Sequence, residues 1–402
     1  MSHKFILFLA ISSIIFASCA DNEEVASSFE TPETYTFLRN GESSVSFPGQ
    51  TERIGMATEL INAMADFNST EALLQEMFTK ETASGELAQP FQNAELNQSL
   101  KNVRSKVADS RDFFFSNTTE ASVIKSHFDS WITSQVSEVY ANENQHAEPG
   151  VAGQIADGAK TRYISAKGLE YDQAVTKSLI GALMVDQIVN NYLSTNVLDD
   201  GNNREDNTNG MLAEGTSYTT MEHKWDEAYG YLFGAMGSNV DPLQNPEQDP
   251  FLNKYLFRVD ADPDFAGIAQ EIFDAYKTGR AAIVASDYEA RDVQADILRD
   301  RIAEVVAIRA VYYLQAGKRA LEFGNQGSAF HSLSEGYGFI YSLRFIRQPN
   351  SEDPYFSREE VDEMLERLLD GNGFWDVSTA TLDNLSETIA APFSFSVAEA
   401  GE

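Results

Sequence analysis

The sequence predicts an all-α protein, a multi-helix bundle in two helical halves preceded by a short N-terminal β-hairpin. Three observations predict it. Apolar residues recur at helical spacing from Ile54 to Leu369. Strand-like alternation is confined to a few short stretches, Tyr35-Thr-Phe37, Ser44-Val-Ser-Phe47 and Phe393-Ser-Phe-Ser-Val397. Between Leu198 and Met211 there is no apolar residue at all, so that segment reads as a solvated divider between two halves.

Residues 1–18 read as a lipoprotein signal peptide. His3 and Lys4 precede an apolar run from Phe5 to Phe16, and Phe16-Ala17-Ser18-Cys19 has the form of a bacterial lipobox, in which the cysteine becomes the lipid-carrying N-terminus. The apolar run of about a dozen residues is shorter than the roughly 20 that a spanning helix needs. Cys19 is the only cysteine, so the mature chain would carry no free thiol. That excludes a disulfide framework, a thiol nucleophile and a thiolate metal site. Residues 19–34, opening on Ala20-Asp-Asn-Glu-Glu24, form an acidic, Ser/Thr-rich tether with too little apolar surface to fold. An acidic stretch behind a lipid cysteine resembles an export signal to the outer face of the outer membrane, and it reads equally as a solvated linker. The expected location is the cell envelope, lipid-anchored to the outer membrane.

The first helical half covers 35–198. Asn40-Gly41 sits between Tyr35-Thr-Phe37 and Ser44–Phe47 as a hairpin turn. Thr51 can cap a helix carrying Ile54, Ala57, Leu60, Ile61 and Met64, and Ser69-Thr-Glu-Ala72 a second one with Leu73, Leu74 and Phe78. Further helices are expected over 93–115, 119–140 and 169–193. A polar linker covers 199–216. The second half, 217–392, carries helices over 219–236, 265–286, 293–321, 328–346 and 357–369, interrupted by the breaker-rich loop Asp241–Pro250. Residues 393–402 form a C-terminal tail. No repeat of fixed period is read.

With 62 acidic against 29 basic residues the net charge is −33. Such a polyanion repels nucleic acid and anionic membrane surfaces, which leaves the lipid anchor as the membrane contact and cations or basic proteins as attractable partners. The same charge also serves solubility.

Candidate chemistry lies in the second half. His223 and Glu227 are four residues apart, as are His331 and Glu335, and on a helix that spacing puts each pair on one face. Two such pairs on facing helices would offer two nitrogens and two oxygens to one cation, a set suited to iron, zinc or manganese. The bland alternative is a histidine satisfied by a neighbouring carboxylate in the core. Arg309 and Asp186 both interrupt apolar runs, so each needs a partner; Arg309 could hold Asp186, Asp172, Glu227 or Glu335. Tyr312, Tyr313, Tyr337 and Tyr341 could line the same interior. Asp260, Asp262, Asp264 and Glu271 match a calcium loop only partly, because Phe265 stands where that loop needs glycine; they read as helix caps. No phosphate-cradling glycine loop, nucleophile elbow or HExxH helix occurs, so no catalytic residue is assigned.

The segments Tyr35-Thr-Phe-Leu-Arg39, Val45-Ser-Phe-Pro-Gly-Gln-Thr-Glu-Arg-Ile54, His223-Lys-Trp-Asp-Glu-Ala-Tyr-Gly230 and His331-Ser-Leu-Ser-Glu-Gly-Tyr-Gly-Phe-Ile340 resemble an uncharacterised family of bacterial helical lipoproteins. That family is in turn distantly similar to the imelysin group, all-helical envelope proteins associated with iron uptake and once regarded as peptidases. The imelysin GxHxxE motif is not kept: Met221 and Asp226 flank His223 in its glycine and glutamate places, and Ala329 and Ser334 flank His331. The resemblance implies an imelysin-like architecture and a non-catalytic binding component serving iron or haem acquisition, beside an outer-membrane receptor. A metal-dependent hydrolase using the two His/Glu pairs on an iron or zinc ion, or a purely structural docking protein, is the alternative expectation.

Overall fold

The computed structural model describes residues 29–238 and 240–402. The signal peptide, Cys19 and the start of the tether lie outside the described residues. The end of the tether is docked: Phe29 packs against the core, and Glu33 O accepts from Lys277 Nζ at 3.1 Å.

The expected hairpin forms, but its strands lie nearer the turn. β1 (Leu38–Arg39) pairs antiparallel with β2 (Glu42–Ser43), and Asn40 and Gly41 both take positive φ, 55° and 84°, which an Asn-Gly turn allows. α1 (Pro48–Met64) starts at its proline, whose missing N–H would find no helical partner there. Thr51 is therefore inside the helix, its hydroxyl donating to Gly234 O at 2.7 Å. α2 (Glu71–Thr79) is capped by Thr70.

The expected helix over 93–115 does not form. Instead α3 (Ala94–Gln98) stops early, and the buried Lys80 ammonium donates to the Leu96 and Asn97 carbonyls at 2.9 and 2.8 Å. The chain beyond makes a 3-10 turn at Arg104–Lys106 and then a loop, several of whose N–H groups are taken by tertiary acceptors. α4 (Thr118–Ser134) passes into a π-helical turn, Gln135–Val139. A second, unanticipated hairpin follows, β3 (Gly153–Asp157) with β4 (Lys160–Ile164). α5 (Tyr171–Leu179) continues through π-helical turns at Ile180–Val185 and Ile188–Tyr192. Carbonyls of these turns, Ala182 O and Asn190 O, accept Ala108 N at 2.8 Å and Asp112 N at 3.1 Å, which lets Val107, Ala108 and Ser110 be buried without being helical.

The polar linker is structured. α6 (Thr195–Leu198) precedes it and α7 (Asn203–Thr208) lies within it. Asn207 is buried, donating to Ile283 O and accepting from the Thr219 hydroxyl, both at 2.7 Å. α8 (Thr220–Phe233) opens on a capping box of Thr219 and Glu222. α9 (Leu252–Asp260) is not foreshadowed in the sequence reading. Asp260 then accepts Gly267 N and Ala269 N at 2.9 and 3.0 Å, capping α10 (Ile268–Val284) as expected of that acidic run. α11 (Tyr288–Glu322), α12 (Gln326–Ser342) and α13 (Arg358–Leu368) follow their expected courses. α14 (Thr379–Ala390) is not foreshadowed in the sequence, and α15 (Val397–Ala400) forms within the expected C-terminal tail; Phe395 is buried and stacks on Phe393.

α11 is the central helix, packed against α10, α12 and α14. α12 lies on α5, and α8 lies against α1, so helices of the first half pack directly on helices of the second. One continuous apolar cluster runs through both. Close helix approach depends on glycine: a Cβ at Gly338 would lie 2.4 Å from Lys177 Cβ, and one at Gly181 would lie 2.5 Å from Ser342 Cα.

Candidate functional site

α12 presents its expected pair in a charged network. His331 Nδ1 lies 2.8 Å from Glu170 Oε2, and Nε2 lies 3.7 Å from Glu335 Oε2. Glu335 is held from its other side by Lys177 Nζ and by the Tyr255 hydroxyl, both at 3.1 Å. Burial pushes the His331 imidazole down, but the hydrogen bond and charge of Glu170, helped by Glu335, outweigh it and leave the ring more basic than usual. Burial acts the other way on Glu335, where Lys177 and His331 prevail and keep its carboxyl below the ordinary range.

α8 presents the other pair in a separate setting. His223 Nδ1 donates to Ser46 O at 2.9 Å, its ring stacks on Tyr218 with centroids 4.6 Å apart, and Nε2 is 3.9 Å from Glu227 Oε2. Burial keeps His223 less basic than usual despite Glu227. Glu227 takes Lys224 Nζ at 2.8 Å and Gln50 Nε2 at 3.1 Å. Behind it lies a buried cluster: Arg280 bonds Glu222 at 2.8 Å and Asp226 at 3.0 Å, the Tyr35 hydroxyl donates to Asp226 at 2.7 Å, and the half-buried Arg39 donates to both oxygens of Glu222. Burial lifts Asp226 to about 6 even beside Arg280. These contacts fix the N-terminal hairpin on α8 and α10.

The two pairs are equivalents, not partners. Ser46 N donates to Asp226 Oδ2 at 3.2 Å just before α1, and Glu170 N donates to Ser334 Oγ at 2.9 Å just before α5. Gly230 and Gly338 meet Phe47 and Lys177 at the matching crossings. The α1/α8 and α5/α12 pairs are thus built alike. The pattern His-x-x-x-Glu-x-Tyr-Gly, present in both helices, is the signal that reading for a fixed period misses. The bonding partners of His223 and Glu227 include none of those of His331 and Glu335, so the four residues do not form one shared site.

Nor do Arg309 and Asp186 hold each other. Asp186 accepts the backbone N–H groups of Asp109 and Ser110 at 3.1 Å and the Asn190 amide at 3.3 Å. Arg309 lies over the rings of Tyr312, Tyr313 and Tyr255 at 4.0, 4.7 and 5.4 Å. The residues present do not fit a bound iron or zinc ion. A ligating imidazole must be neutral and free on one nitrogen, whereas His331 is held basic between two carboxylates and Glu335 is occupied by an ammonium. Among the described residues no group of three or more His, Cys, Asp or Glu side chains is placed to hold a metal.

Sequence reading did not single out a polar-aromatic cleft between α4, α12 and α13. It measures about 620 Å³ and is lined by His127, Trp131, Tyr337, Tyr341, Arg344 and Arg358 among others. α4 supplies His127 and Trp131, α12 the tyrosines, and α13 Arg358. Tyr341 packs edge-on to Trp131 at 5.1 Å, and Trp131 edge-on to Tyr337 at 6.0 Å. Asp362 is shared by two guanidinium groups, Arg344 at 2.8 Å and Arg358 at 3.4 Å; with Lys167, Glu366 and Asp370 also in the lining, the cleft's cations and acids balance. Burial, then Arg344, keeps His127 less basic than usual, and its Nδ1 lies 3.0 Å from the Tyr341 hydroxyl. A neutral ring, an aromatic wall and two guanidinium groups suit an anion carrying an aromatic or planar body.

Residues 32–396 match the model of a family described as a domain of unknown function (DUF4856). No curated protein and no solved structure matches the chain. Among the described residues no helix is long and apolar enough to cross a membrane.

Proposed function

We propose that this chain, which belongs to the DUF4856 family, is a non-catalytic binding component of the cell envelope. It is anchored through a lipid on Cys19 and takes an anionic, ring-bearing iron ligand, haem or a catecholate chelate, in the cleft between α4, α12 and α13. The observation that carries the reading is a charge-balanced cleft holding two guanidinium groups beside an aromatic wall, in a protein whose net charge is −33. In a strongly negative molecule most surfaces repel an anion; a concavity whose cations match its acids is where one can dwell. The similarity to imelysins supports iron as the cargo, and delivery to an outer-membrane receptor belongs to the same reading. The hydrolase alternative is weakened because each His/Glu pair is engaged by its own separate partners.

The test is titration of the mature protein with haem and with a ferric catecholate, followed by tryptophan quenching. Saturable quenching by at least one is expected, with His127→Ala and Arg358→Gln each weakening it about tenfold, the equivalent of some 1.4 kcal/mol. Quenching that is absent, or unaffected by either substitution, sinks the cleft assignment. The anchor is tested apart from it: fatty-acid labelling should disappear in Cys19→Ser, and labelling that persists rejects the lipobox.

A further inference from the structure

We infer that a second, smaller pocket, where the end of α1, the π turn after α4, β4 and the start of α5 meet, binds a primary ammonium group. The pocket measures about 160 Å³ and is lined by Phe67, Gln135, Arg162, Tyr163, Glu170 and Asp172 among others. Two of these end in buried oxygens without a hydrogen-bond partner among the described residues, Glu170 Oε1 and Gln135 Oε1. Both side chains belong to residues only 4% exposed, and each is anchored by its other polar atom. Glu170 Oε2 faces His331, and Gln135 Nε2 donates to Met64 O at 3.0 Å. Neither can easily turn away, so each needs a donor from within the pocket.

Asp172 supplies a third acceptor. Its carboxylate takes the Gln173 amide at 2.9 Å and makes no ion pair among the described residues. Arg162, the cation on the same wall, is committed to Asp157 at 2.9 Å. The pocket therefore offers three acceptors and holds one carboxylate charge in excess of what His331 balances. Burial raises the pKa of both carboxyls, of Glu170 even beside His331. A primary ammonium has three N–H donors and one positive charge, which matches that set. Phe67 and Tyr163, with ring centroids 4.5 Å apart, offer π faces to the same cation. A transition metal does not suit amide and carboxylate oxygens that include no further ligating cluster. The volume admits a short alkyl stem, such as the end of a lysine side chain or a small amine. The inference uses no residue of the aromatic cleft, so either can fail without the other.

The experiment uses the mature chain and n-butylammonium chloride. A saturable rise in melting temperature is expected, beyond that given by sodium chloride or tetramethylammonium chloride at equal ionic strength, because tetramethylammonium carries no N–H. Asp172→Asn, checked for unchanged circular dichroism, should weaken the effect about tenfold or more. A crystal grown with the amine should place its nitrogen within hydrogen-bond distance of Glu170 and Gln135. Equal shifts with all three salts, or density for ordered waters alone, overturns the inference.

Discussion

Two carboxylates, Asp186 and Asp249, are buried without an ion pair among the described residues. Asp186 is held by backbone N–H groups and an amide, and Asp249 Oδ1 accepts Phe251 N at 2.8 Å while its Oδ2 has no hydrogen-bond partner among the described residues. Burial lifts each to about 7 despite those hydrogen bonds. An acid with a raised folded pKa binds its proton more tightly when folded. Its stabilising contribution is complete below the unfolded value near 4 and is lost as pH rises through about 7. His331, also raised, adds loss in the same direction above its ordinary value. Glu222, Glu227 and Glu335 are held low by their cations and lose their contribution below about 4.5. Stability should therefore peak near pH 5. Between pH 5 and pH 8 each raised carboxylate should remove about 2–3 kcal/mol. Asp249→Asn keeps an oxygen for Phe251 N and removes one of these terms, so its melting temperature should fall less over that interval than the wild type's. A wild-type melting temperature that climbs from pH 5 to pH 8 would contradict this assignment.

At the scale of elements the decisive residues are the glycines at helix crossings. Gly338→Ala puts a methyl 2.4 Å from Lys177 Cβ and 3.0 Å from Ser178 N, and because backbone is among the obstructing atoms, α12 must move off α5. A loss of about 1–3 kcal/mol in urea unfolding is expected, with the His331–Glu170 contact loosened; an unchanged midpoint would show that the helices are not in register as described. The same scale explains what could be read beforehand. α8 was legible because its cap, its apolar stripe and its end are local: Thr219 and Glu222 close a capping box within four residues. The stretch 93–115 was misread because Val103, Val107 and Phe114 are apolar and buried for a reason outside the segment, namely acceptors on the π-helical turns of α5. α9 and α14 were hidden by their flanks, Pro250 before one and Thr379-Ala-Thr-Leu382 opening the other. For the site, the i to i+4 pairing of His331 with Glu335 was visible, while Glu170 and Lys177 are brought in by helix packing that no local pattern encodes. His127 gave no signal, because its neighbours in the cleft come from α12 and α13.

For the whole molecule, the two helical halves are distinct in sequence and interdependent in packing. Asp226, Glu222 and Arg280 of the second half are completed by Tyr35 and Arg39 of the first. His331 and Glu335 are completed by Glu170 and Lys177. A second half expressed alone would keep Arg280 against its two carboxylates but open that cluster to water, and it would leave Glu335 without its buried ammonium, a loss of the kind that costs about 3–5 kcal/mol. It would also expose the faces of α8 and α12 that α1 and α5 cover. The linker is itself fixed to the second half, since Asn207 bonds to both Thr219 and Ile283. The intact chain should therefore unfold in one transition, with tryptophan fluorescence, which reports Trp131 in one half and Trp225 and Trp375 in the other, tracking helix loss by circular dichroism. Residues 217–402 alone should lack a cooperative melt. Two separated transitions in the full chain, or a sharp melt of the isolated fragment, would mean that the contacts between halves are weaker than the energy each half gains from its own core, and that the crossings of α5 with α12 and α1 with α8 merely dock two finished domains.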